Sequence, residues 1–236
     1  MTLRRGPELP YKLIAGVTPC RPGWLLASAK LHGSTIGPEL PRVMPTFLDV
    51  LSERPAFSLI VVNAPIGYPD SIESGPRSCD REARALVGRR GGAVHNAPTR
   101  DVVSGKVSWS DGGLDVVSAS LLPKYREVAA EMSGYRQRTV YEGHPELSFY
   151  QINKDTPLKR SKKIVPGLDE RREVLIKQIP GIDRILDAEV VGVPIKHLYD
   201  AAAMLWTARR VFGHAARRIP KEAEWDSEGL RMEIVY

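Results

Sequence analysis

SLIVVNAP, residues 58 to 65, is almost continuously apolar and β-branched until it stops on Asn63 and a proline two residues on. A strand with polar alternation has one face in water; a run without it fits a strand covered on both faces, in the middle of a parallel or mixed sheet. The neighbouring segments agree with that placement. Upstream, YKLIAGV (11 to 17) and WLLASAKL (24 to 31) are apolar runs around the Pro/Gly turn in GVTPCRPGW (16 to 24) and read as a hairpin. MPTFLDVLSE (44 to 53) sets Phe47, Leu48 and Leu51 at helical spacing, with Pro45 suited to a first turn. Strand, strand, helix, strand points to a mixed α/β sheet.

The remaining segments supply helices for its faces. CDREARALVGRRGG (79 to 92) reads as a helix closed by glycines, with Asp80 near its positive N-terminus. Residues 91 to 116, rich in Gly, Ser, Asp and Pro, read as a loop with at most short strands. SASLLPKYREVAAEMSG (118 to 134) reads as a helix that starts late or kinks at Pro123. RTVYEGHPELSFYQI (138 to 152) begins as a strand and turns sharply at Gly143 to Pro145. LDERREVLIKQI (168 to 179) is amphipathic. KHLYDAAAMLWTARRVFG (196 to 213) is the clearest helix, with Leu198, Ala201, Ala202, Leu205 and Phe212 in one stripe and Asp200 beside it. LRMEIVY (230 to 236) alternates as a late strand. There is no internal repeat or linker, so one domain over residues 1–236 is expected, with an irregular insertion at roughly 70–135.

The totals limit the function classes. A chain of 236 residues can bury a sizeable core, and 42% hydrophobic with 26% charged residues is ordinary for a globular protein. The opening MTLRRGPELP has charge but no apolar stretch behind it, so no secretory signal is expected, and nothing reaches the roughly 18 apolar residues of a membrane span. Two distant cysteines, Cys20 and Cys79, argue against a structural zinc or disulfide framework and for a reducing cytoplasm. A formal charge of +6 is compatible with a polyanionic partner. The densest basic run, LKRSKK (158 to 163), reads as a solvated loop or as a phosphate-contacting patch.

Four polar positions fall where this layout builds sites. Thr18 ends the first strand, Asn63 the buried one and Glu142 another, while Asp200 faces the sheet from a helix. Oxygen ligands gathered from strand ends suit Mg²⁺, and two such ions stabilise the attacking and leaving oxygens in phosphodiester cleavage. Here only Glu142 and Asp200 carry charge. The chain resembles the bacterial and archaeal family catalogued as domain of unknown function 429, predicted to be ribonuclease-H-like nucleases. The matching pieces are GVTPCRPGW, NAPIGYP (63 to 69), RSCDREAR (77 to 84), APTR (97 to 100), EGHPELSF (142 to 149) and LYDAAAMLWTARR (198 to 210), with a late match around Asp226 and Gly229.

The resemblance implies a ribonuclease-H-like fold and a Mg²⁺ or Mn²⁺ site in which Glu142 and Asp200 are the metal ligands. The family pattern usually has acids at the positions of Thr18 and Asn63. Those two offer a hydroxyl and an amide carbonyl but no negative charge. A ligand set reduced from about four acids to two is expected to hold at most one ion weakly. Nucleic-acid or nucleotide binding with impaired or absent cleavage follows, unless another acid such as Glu146 is recruited. Substrate contacts are expected from His144, which otherwise caps a turn, and from Lys163 in the segment with Gly167 and Arg171. Asp80 is expected to pair locally with Arg84 or to join Arg77 and Arg100 in an anion-binding surface. The other histidines, both cysteines, Trp24 and Trp206 read as structural. A phosphotransferase-like nucleotide site and a non-catalytic interaction module are the rival readings.

Overall fold

The computed structural model describes residues 10–236; the charged opening lies outside the described residues. The hairpin forms from β1 (Lys12–Cys20) and β2 (Gly23–His32), in register from Lys12 opposite Leu31 to Cys20 opposite Gly23. Two short strands, β3 (Thr35–Pro38) and β4 (Arg42–Met44), lie antiparallel on the two ends of β2. The other edge of β1 pairs in parallel with β5 (Leu59–Val62), which pairs in parallel with β6 (Val140–Glu142). The order is β3-β2-β1-β5-β6, with β4 also on β2. This is the mixed sheet that SLIVVNAP implies, and all four residues of β5 are buried.

Both faces of the sheet are covered by helices. Leu59 and Val61 point into one core and Ile60 and Val62 into the other, as the two-residue period requires. The first core is closed by α5 (Pro145–Ile152), α6 (Val165–Ile176), α7 (Asp183–Leu186) and α8 (Ile195–Phe212). The second is closed by α1 (Phe47–Ser52) and α4 (Val116–Glu131), with Trp24 against Phe47. α2 (Ser78–Val87) packs against α5 in a third, smaller cluster, and α3 (Arg100–Ser104) packs on α4. Gly16 sets how close α8 comes. A Cβ there would lie 2.1 Å from the backbone nitrogen of Leu205 and 2.3 Å from the carbonyl oxygen of Ala201, so only glycine lets helix backbone rest on strand backbone.

Several sequence expectations are corrected. Pro45 precedes α1 rather than opening it; Thr46 is the cap, in a reciprocal capping box with Asp49. α4 does not start late at Pro123. It begins at Val116 because the Asp115 carboxylate accepts from the N–H groups of Val117 and Ser118, and it runs on through the proline. Residues 91 to 116 hold α3 and no strand, and the stretch 70–135 is largely helical rather than irregular. The apolar stripe of α8 ends before Phe212, which is half exposed at the last turn. The tail strand β8 (Ile234–Val235) pairs with β7 (Arg218–Ile219) and touches the main sheet only through a bridge to Gly143. Among the described residues no helix is long and apolar enough to cross a membrane.

A candidate site in the cleft at the carboxyl ends of the strands

β1, β5 and β6 run in the same direction, so their carboxyl ends open at one edge of the sheet. Ligands of open α/β sheets bind at such an edge. Here the edge forms a cleft of about 740 Å³ lined by Thr18, Asn63, Glu142, Asp200, His144, Arg77, Asp80 and Lys163. Eight of the nine candidate site residues, spread over most of the sequence, therefore come together. The ninth, Arg100, does not: it faces away and is held by Asp226 and Glu228. Asp226 in turn accepts from the N–H groups of Tyr68, Glu228 and Leu230, so this pair ties the late segment to the loop after β5.

The two surviving acids are each neutralised by a basic side chain. Glu142 lies in a fork of Arg77, with Nη2 donating to Oε1 at 2.6 Å and Nη1 to Oε2 at 2.8 Å, and the Ile66 N–H donates to Oε2 as well. Arg77 also donates to both oxygens of Asp80, at 3.1 and 2.7 Å, and to the carbonyls of Ile66 and Gly67. Its side chain is 1% exposed, and every N–H direction is spent inside the protein. Arg77 and Asp80 thus join no anion-binding surface. Nor does Asp80 pair with Arg84: its carboxylate turns inward to Arg77 and the Ala97 N–H, while Arg84 donates to the carbonyl of Val94. Burial pushes the Glu142 carboxyl up to about 7 against the pull of Arg77.

Asp200 meets a lysine. Lys162 Nζ donates to Oδ1 at 2.8 Å and to Oδ2 at 2.6 Å, and the aspartate is buried. Lys162 belongs to LKRSKK, which is no freely solvated loop. Leu158 is buried, Glu170 accepts from the N–H groups of Lys159 and Arg160, and Arg171 donates to the carbonyl of Arg160. Thr18 and Asn63 complete the floor, with Asn63 Nδ2 donating to Thr18 Oγ1 at 3.0 Å. That contact follows from the register of β1 and β5, in which Asn63 N–H donates to the carbonyl of Val17.

Glu146 is not spare either. It is bonded to Arg171 at 2.8 Å and Arg90 at 3.1 Å; burial would raise its carboxyl, but the two guanidiniums hold it below the usual range. His144 caps a turn, as one of its two readings expects, and it also faces the cleft. Its Nδ1 accepts from the Glu146 N–H and caps α5, and its ring lines the cleft, with burial lowering its pKa. His95 and His197 also line the cleft, unlike His32 and His214. Cys20 and Cys79 are free and buried, Trp24 and Trp206 are core, and burial raises both thiols. The sequence reading missed Lys162 as the partner of Asp200 and Arg77 as the clamp on Glu142. The basic run was the signal for the first; nothing in the local sequence signals the second.

The donor set does not fit a pair of Mg²⁺ or Mn²⁺ ions. Two of its members are neutral and bonded to each other, and the two carboxylates already face cations. No group of three or more His, Cys, Asp or Glu suited to a metal occurs among the described residues. The cleft lining is instead basic, with Arg77, Arg89, Arg90, Lys162, Lys163 and Lys196 against Asp80, Glu142, Glu146 and Asp200. Fold and site thus define an α/β protein with a cationic cleft at its strand ends. The family model described as protein of unknown function (DUF429) matches residues 16–225, and the chain belongs to that family. No curated protein and no solved structure matches it.

Proposed function

We propose that the chain binds a phosphate-bearing ligand, nucleic acid or nucleotide, in this cleft, with metal-dependent phosphodiester cleavage weak or absent. The observation that carries the reading is the pairing of Glu142 with Arg77 and of Asp200 with Lys162, which removes the negative charge that concentrates divalent ions. Arg89, Lys163 and Lys196 line the cleft and make no ion pair among the described residues, so their charge remains for an anion. The helices α5 and α8 begin at the cleft, and their N-terminal dipoles favour the same sign. An antiparallel hairpin continuing into two parallel strands, with a long helix across one face, supports a ribonuclease-H-like fold. Free, buried cysteines support a cytoplasmic setting.

Incubation of the purified chain with labelled single-stranded DNA and RNA tests the proposal, with Mg²⁺, with Mn²⁺ and with EDTA. The expected result is retention that weakens with salt and no shortening of either strand. Strong divalent-dependent cleavage that is abolished in Asp200→Asn overturns the non-cleaving half; absence of retention at low salt, together with no binding of a labelled adenine nucleotide, overturns the binding half.

A further inference from the structure

The loop carrying LKRSKK is fastened more thoroughly than a surface connector needs. Arg171, itself fully buried, donates from Nη1 to the carbonyls of Arg160 at 3.0 Å and Gly167 at 2.9 Å. Glu170 accepts from two successive backbone N–H groups, at 2.8 and 2.9 Å. Gly167 lets the loop lie directly on the first turn of α6, since a Cβ there would sit 1.9 Å from the carbonyl oxygen of Ser161. All three contacts fix residues 159 to 161, which lead directly into Lys162. An ammonium group has three N–H donors. Two are given to Asp200, which leaves one, and the side chain, 24% exposed, lines the cleft.

We infer that Lys162 is a tethered cation in place of a divalent ion: it neutralises Asp200 and offers its remaining N–H to a phosphate group of the ligand, so binding needs no metal. The inference rests on the phosphate-binding reading above and adds its centre and its independence from Mg²⁺. A lysine at 2.6 Å and 2.8 Å from the two carboxylate oxygens supplies one positive charge where a bound divalent ion would supply two, enough to neutralise Asp200. It also competes with any ion for the same oxygens. Removing it leaves a buried, uncompensated carboxylate in the cleft that Thr18 and Asn63 also line, which favours a cation there.

Two probes separate the sources of phosphate, a fluorescein-labelled single-stranded oligothymidylate and a labelled adenine nucleotide, each titrated with the intact chain in Mg²⁺ and in EDTA. The probe that binds is expected to bind equally in both. Lys162→Met is expected to weaken it by about tenfold or more, the loss of one hydrogen bond between charged groups, while Lys162→Arg binds nearly as the parent and Lys106→Met, on an exposed side chain, binds unchanged. Mn²⁺ titration followed by electron paramagnetic resonance is expected to show affinity at least about tenfold higher for Lys162→Met than for the parent. Binding that collapses in EDTA, or survives intact in Lys162→Met, overturns the inference and leaves the binding reading standing. Should neither probe bind the parent, the binding reading fails, and parent Mn²⁺ affinity equal to that of Lys162→Met overturns the tethered cation as well. If Lys162→Met does not fold, Lys162→Met combined with Asp200→Asn removes the uncompensated charge; undiminished probe binding by that double variant overturns the inference.

Discussion

Arg77 shows how far a single side chain can be read from sequence. RSCDREAR and Glu142 both stand out along the chain, yet nothing local says that one buried guanidinium binds Asp80 three residues away and Glu142 sixty-five residues away at once. The planar fork of arginine suits two carboxylates and two carbonyls in a way that the point charge of lysine does not. Arg77→Met strands two buried acids, for which about 3–5 kcal/mol of stability is the expected loss, read as a shift in urea midpoint. Arg77→Lys is expected to recover only part of it. If Arg77→Met unfolds at the parent's urea concentration, the fork is not what holds the floor of the cleft. The Asn63 to Thr18 contact is legible only in part: strand ends can be placed from SLIVVNAP and GVTPCRPGW, but their register cannot.

Elements with extreme patterns are legible in the sequence, and elements decided by a single cap are not. β5 and α8 announce themselves, one by an unbroken apolar run and the other by a long stripe with alanines. The start of α4 depends on one carboxylate. Burial would raise Asp115, but the Ser118 N–H and hydroxyl and then His95 pull it from 3.8 down to about 2. A carboxyl lowered on folding stabilises the fold above its unfolded value and loses that contribution as pH falls through the folded one. The melting-temperature gap between the parent and Asp115→Ala, worth about 1 kcal/mol for a cap, is therefore expected to be full above pH 3.8 and to shrink toward pH 2. A gap constant over that range would show that the carboxylate charge contributes nothing. For α8 the decisive residue is Gly16. Gly16→Ala forces helix and strand backbones apart at 2.1 Å, and a loss of about 1–3 kcal/mol or more is expected by thermal melting. Wild-type stability in that variant would mean that α8 is not seated there, and that Asp200 is not positioned by β1.

At the scale of the whole molecule the question is where the formal charge of +6 acts. Spread evenly, it would give weak attraction to any polyanion and no preferred face. The cleft is different, because Arg77, Arg90 and Lys162 are spent on acids while Arg89, Lys163 and Lys196 are not. Each phosphate that a cation neutralises releases counterions, and the logarithm of the affinity for a single strand falls with the logarithm of salt by about 0.7 per contact. Replacing Arg89, Lys163 and Lys196 together by glutamine is therefore expected to flatten the salt slope by about 2, and to cost most of its affinity at low salt and little at high salt. Replacing the exposed Lys106 and Arg217, which pair with Asp101 and Asp155 elsewhere on the surface, is expected to leave the slope alone. An unchanged slope in the triple variant would mean that phosphates do not lie on these three side chains. Any phosphate in the cleft would then have to rest on Lys162 rather than on these side chains, and the remaining basic charge would be a general property of the surface.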